Sequence, residues 1–248
     1  MLITMIRGFL ALLVVGAGVW GLTAPDGAGQ TNPFRELLGQ SERERVEQSQ
    51  WFERADGRGR FILDRSVRPA LLWREGEREV FAVNRTPAAG GGEIWLTDTD
   101  QVLLRKHNPA GWTFFPEDRR DGVIVEPVGR AQTLVAEPAD AEALQDAARE
   151  MVDRMARASR NEVAAELTSL TPEQNAYIID AMVMAAFGVE AASRRAVRDL
   201  EIVRIGIGET PQARFDGRVL DISVATELGY GGRPSSDYIR RALERGAD

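Results

Sequence analysis

The chain has no cysteine, a single histidine (His107) and a single lysine (Lys106). The missing thiols exclude cysteine nucleophiles, cysteine-bound zinc, iron–sulfur clusters and disulfides. A Ser-His-Asp triad or a histidine metal centre has only His107 to run through, and Schiff-base chemistry only Lys106. Both stand in "LLRKHNPAG", which reads as a polar strand end entering a turn, and adjacent strand residues point to opposite faces. Basic charge is short as well. A net charge of −7 argues against a general nucleic-acid binder, because neutralising phosphates needs a basic face. Among large enzyme classes only carboxylate chemistry survives, and no pattern singles out a catalytic residue. No cofactor and no metal are expected; "DTD" (Asp98, Asp100) near Glu93 matches no calcium loop and reads as a polar turn.

What is present is a globular composition, 44% hydrophobic and 28% charged over 248 residues, enough for one large domain or two small ones. Arg7 precedes an apolar run from Gly8 to Ala24, followed by Pro25, Asp26 and small residues. This is the layout of a secretory signal peptide over 1–29, cleaved after Gly29; the alternative is an uncleaved inner-membrane anchor, though the run is short for a span. Either reading places the body outside the cytoplasm, periplasmic or secreted, touching membrane only through an uncleaved leader.

Residues 30–57 read as a polar helical lead-in. "NPFRELLG" offers Asn32 as cap and Pro33 at the first helical position, and Ser41 with Glu44 forms a capping box ahead of alternating charges. Residues 58–128 are β-rich: "RFILD", "ALLWRE", "REVFAV", "GEIWLT", "QVLLRK", "WTFFP" and "GVIVEP" alternate with turn signals, which predicts an antiparallel meander closed as a small barrel or folded as a sandwich. Its aromatic residues read as core filling rather than a ligand platform.

Residues 129–248 switch to a helical period. Leu144, Ala148, Met151 and Met155 form one stripe, continued by Val163, Leu167 and Leu170. A second helix starts at Thr171-Pro172 with Gln174 completing a capping box, buries Ile178, Met182 and Ala185, and stops at Gly188. "EIVRIGIG" reads as a strand, "RFDGRVLDISV" as a hairpin turning at Asp216-Gly217, and about 236–245 as a last helix with Ile239 and Leu243 inward. The fold class is therefore α+β, with residues 58–248 expected to act as one cooperative unit.

The most motif-like stretch, "ELGYGGRPSSDYIRR", runs glycines into a helix start. A helix N-terminus attracts anions, so Gly231, Gly232, Arg233, Ser235 and Ser236 form a candidate anion-binding site for a carboxylate or phosphate. A hinge with Ser235 or Ser236 as helix cap explains the same residues. The spacing fits neither a P-loop nor a dinucleotide fingerprint.

The stretches "FILDRSVRPALLW", "EREVFAV" and "GGRPSSDYI", spanning Phe61 to Ile239, resemble a family of exported bacterial proteins described only as a domain of unknown function. The resemblance implies that the β and helical parts recur together; it implies no activity, cofactor or binding residue. The expectation is an exported protein that binds an envelope component or small anionic ligand, or has a structural role, without catalysis. The alternative is a carboxylate-dependent hydrolase acting on a cell-envelope polymer.

Overall fold

The computed structural model describes residues 48–108, 111–168 and 171–247. The expected leader, its cleavage site and the capping signals at Asn32 and Ser41 lie outside the described residues, as does Leu170. Eight strands follow in order: β1 (Ser49–Arg54), β2 (Arg60–Asp64), β3 (Ala70–Arg74), β4 (Val80–Pro87), β5 (Glu93–Leu96), β6 (Val102–Lys106), β7 (Trp112–Phe114) and β8 (Val123–Arg130). Each pairs antiparallel with the next, and β8 returns to β1, closing a barrel. Between barrel and sandwich, the chain forms the barrel.

All seven predicted strands are present. The eighth, β1, lies inside the stretch expected to be helical, so that part of the reading is corrected. Two features turn "SQWFER" into a strand. Phe52 is fully buried and stacks on Phe61 of β2 with ring centroids 5.2 Å apart. Arg54, also buried, has its charge met by Asp56 at 2.8 Å and Asp118 at 3.2 Å. Closing the barrel gives both β2 and β8 a partner and removes the open edges a meander would leave. The interior is packed, not hollow: Phe52, Phe61, Leu63, Leu72, Trp95, Leu104 and Phe114 fill it, as expected for eight strands. Trp51 and Trp73 instead meet edge-on outside this core, at 6.1 Å.

The second part has its own core. Helix α1 (Ala141–Ser159) is capped by Asp140 and ends where Arg160 takes a left-handed conformation. Its continuation is not helical. Ala164–Leu167 is strand β9, because Val163 and Leu167, four apart, satisfy a strand period as well as a helical one, and Ala165 and Leu167 turn inward while Ala164 and Glu166 face water. Helix α2 (Pro172–Ala191) begins with the expected Thr171–Gln174 capping box. After the one-turn helix α3 (Arg194–Val197) come β10 (Ile202–Ile207), β11 (Gln212–Phe215) and β12 (Val219–Val224), then helix α4 (Ser236–Gly246). The sheet order is β11-β12-β10-β9, with β9, β10 and β12 parallel and β11 antiparallel. The hairpin turn sits one residue later than expected: Asp216 N–H donates to the Val219 carbonyl at 3.3 Å, which makes Gly217 and Arg218 the central pair.

The helices cover one face of this sheet, burying Met151, Met155, Ile178, Met182, Val203, Ile205, Leu220 and Leu243. Across the other face Arg204 of β10 bridges Glu166 of β9 at 2.7 Å and Asp221 of β12 at 2.8 Å. Gly188 does not stop α2. A Cβ there would fall 2.7 Å from a carbon of Ile239, so this glycine is what lets α4 lie against α2. Among the described residues, no helix is long and apolar enough to cross a membrane.

Because Phe52 has no exposed surface and closes the barrel, Phe52→Ala should cost about 3–5 kcal/mol. Urea titration measures this; a loss below about 1 kcal/mol would show that β1 is not integral to the barrel.

Candidate functional site

The glycine-rich stretch lies between the two parts. Thr226–Gly232 forms short 3₁₀ turns broken at Gly229, and the chain then enters α4 through Arg233, Pro234 and the cap Ser235. A helix start leaves backbone N–H groups unpaired and carries partial positive charge. Here carboxylates of this same chain fill that role. Asp98, at the tip of the β5–β6 turn, accepts from Ser235 N–H at 2.7 Å and from the Ser235 hydroxyl at 2.6 Å. Glu79, just before β4, accepts from Ser236 N–H at 3.1 Å and from its hydroxyl at 2.7 Å. Ser235 Oγ in turn accepts from Tyr238 N–H at 3.1 Å, the expected N-cap bond. Both serines are engaged, not one.

Arg233 is the centre of the arrangement. Its side chain is 1% exposed. It donates from Nε to Asp180 of α2 and from Nη2 to the Val80 carbonyl at 2.8 Å, with Glu79 4.0 Å from Nη1. Burial alone would lower the guanidinium pKa, but Asp180 and Glu79 outweigh it and hold the group above its ordinary value. Burial also pushes the Glu79 carboxyl upward, against the pull of Arg233 and the two Ser236 donors. Tyr230, beside Asp180, is pushed by burial up to about 12.

The glycines allow close contact. A Cβ on Gly231 would fall 2.7 Å from Pro69 Cγ in the β2–β3 connection, and one on Gly232 would fall 1.8 Å from the Ala225 carbonyl oxygen. Arg241 of α4 adds a bond to the Thr99 carbonyl at 3.1 Å. One segment of the α/β part thus reaches three barrel connections, after β2, before β4 and after β5.

The five residues expected to hold an external anion are therefore brought together, with Arg233, Ser235 and Ser236 turned to Asp180, Glu79 and Asp98. These three partners were not predicted. Asp98 reads only as a turn residue, and Glu79 as an ordinary polar strand position. Asp180 carries a signal: it is the only charge between Glu173 and Glu190, in the uncharged middle of α2. His107 lies elsewhere, exposed and bonded to Thr113 Oγ1 at 2.9 Å, so it gives Ser235 no base. Lys106 rests 5.4 Å from the Trp112 ring centroid. Among the described residues, no group of three or more Asp, Glu or His side chains is placed to hold a metal ion.

The loop, its contacts with three barrel connections and Asp180 lie within residues 33–243, over which the profile of the family described as Domain of unknown function (DUF4908) matches. The chain belongs to that family. In this DUF4908 member the matched span takes in the complete barrel, the α/β part and nearly all of α4. No curated protein and no solved structure matches the chain.

Two outcomes follow from the buried network. Arg233→Ala leaves Asp180 and Glu79 without their cation and should destabilise by about 3–5 kcal/mol, measured by urea titration; wild-type stability would mean that the arginine is dispensable. Glu79 supplies the pH dependence. Its folded pKa is raised, so its stabilising share is fully present below the unfolded value, about 4.3, and is lost as pH rises through the folded value. In thermal melts from about pH 4 to pH 7, wild type should lose stability relative to Glu79→Gln; a constant difference would rule out the raised pKa.

Proposed function

We propose that the protein is exported and serves in the envelope or periplasm as a non-enzymatic binding or structural protein, its barrel and α/β part working as one body. Export rests on the leader pattern of Arg7 and the Gly8–Ala24 run. The non-catalytic reading rests on one observation above all. Glu79 and Asp180 are neighbouring, largely buried carboxylates of the kind a hydrolase uses, yet both are committed to Arg233 and Glu79 also caps α4. A general acid or base must reach the proton it transfers, and neither residue lines the clefts found on the barrel. This removes Glu79 and Asp180 as the acid and base of a carboxylate-dependent hydrolase of an envelope polymer. The bonds from Arg233, Ser235 and Ser236 instead fix barrel connections in place, which suits a preformed recognition surface.

Cell fractionation followed by N-terminal sequencing tests the export reading. The protein should be recovered from the periplasm or medium with its sequence starting near Gln30. Recovery of soluble cytoplasmic protein beginning at Met1 would overturn it.

A further inference from the structure

A cleft of about 550 Å³ opens at the end of the barrel beside the β2–β3 connection. Arg65 and Arg68 of that connection and Arg85 of β4 line it, with Val67, Val83 and Trp95 supplying apolar wall. No aspartate or glutamate lines it among the described residues. Arg65 is held by neutral acceptors, Gln50 Oε1 at 2.8 Å and the Gln48 carbonyl at 3.4 Å, so its charge is not cancelled. Arg68 is exposed and has no ion-pair partner among the described residues. Arg85 pairs with Glu93 at 3.2 Å. In a chain of net charge −7 this is a local concentration of uncancelled positive charge.

Trp95 also borders the cleft; it is 4% exposed, and its indole N–H is enclosed, with no acceptor among the described residues. The connection carrying Arg65 and Arg68 is held from behind, where Pro69 packs on Gly231, so little ordering remains to oppose binding.

We propose that this cleft binds a phosphomonoester dianion carried on a short apolar group. The uncancelled Arg65 and Arg68 match a dianion better than a monocarboxylate, and their planar forks suit phosphate oxygens. Val67 and Val83 take the apolar group, and the Trp95 ring closes the wall behind it. This site goes beyond the binding role proposed above and does not depend on export.

Isothermal titration of the purified protein at low ionic strength tests it. The probes are hexyl phosphate, hexanoate, and vesicles of phosphatidic acid in phosphatidylcholine. Hexyl phosphate should bind saturably and more tightly than hexanoate. Arg68→Ala should weaken it about tenfold or more, as losing a charge-assisted contact does, with an unchanged melting midpoint because Arg68 is exposed. In nitrogen-15 spectra the Trp95 indole resonance, assigned with Trp95→Phe, should shift on saturation. Binding to the vesicles but not to hexyl phosphate would identify a lipid headgroup as the source of the same phosphate chemistry. Absence of saturable binding in every arm, hexanoate binding as tightly as hexyl phosphate, wild-type affinity in Arg68→Ala, or an unmoved Trp95 resonance would each overturn the proposal.

Discussion

A guanidinium taken out of water is tolerable only where its donors and charge are met, and Arg233 meets that condition by drawing on three places far apart in sequence. Asp180 comes from α2, the Val80 carbonyl from the edge of β4, and Glu79 from the connection before it. The two parts of the protein have separate apolar cores. Hydrophobic burial is non-directional, and separate cores do little to fix how one part is turned against the other. Hydrogen bonds are directional, and here they set that relation. The barrel connections, the start of α4 and the middle of α2 are all referred to one side chain.

The same geometry answers the question raised by the glycine-rich stretch. The affinity of a helix start for anions is real, and Ser235 caps the helix as its position implied. The anions are Asp98 and Glu79, carried on the barrel. An anion site and a structural joint are built from the same donors; what separates them is whether the acceptor arrives from solvent or along the chain. Local sequence holds the donors of such a joint and not the acceptors, which lie more than a hundred residues upstream in this case.

Much of the fold was legible where a local rule decides the outcome. β2 to β8 are short apolar or alternating runs between strong turn signals, and α2 announces itself through Thr171, Pro172 and Gln174. The misread elements are those where the deciding contact is distant. β1 ends a stretch of alternating charge, and its inward Arg54 has its charge met by the nearby Asp56 and by Asp118 from another barrel connection. β9 is four residues long with apolar positions compatible with either period, and its place is set by parallel pairing with β10, which leaves no local mark. At the joint, Asp180 stands out as the one charge in the apolar middle of α2, whereas Glu79 looks like any solvated strand residue until its burial is seen.

The closure of the barrel by β1 and β8 also has a consequence for the order in which the protein is made. Chains emerge from the N-terminus, and domains generally fold as units as they appear. Every strand of the barrel has been synthesised by Arg130, whereas Asp180 comes later and Arg233, Ser235 and Ser236 near the end. Until those residues arrive, Glu79 and Asp98 lack the donors that meet them in the folded chain, so the flank of the barrel that receives α4 stays charged and polar.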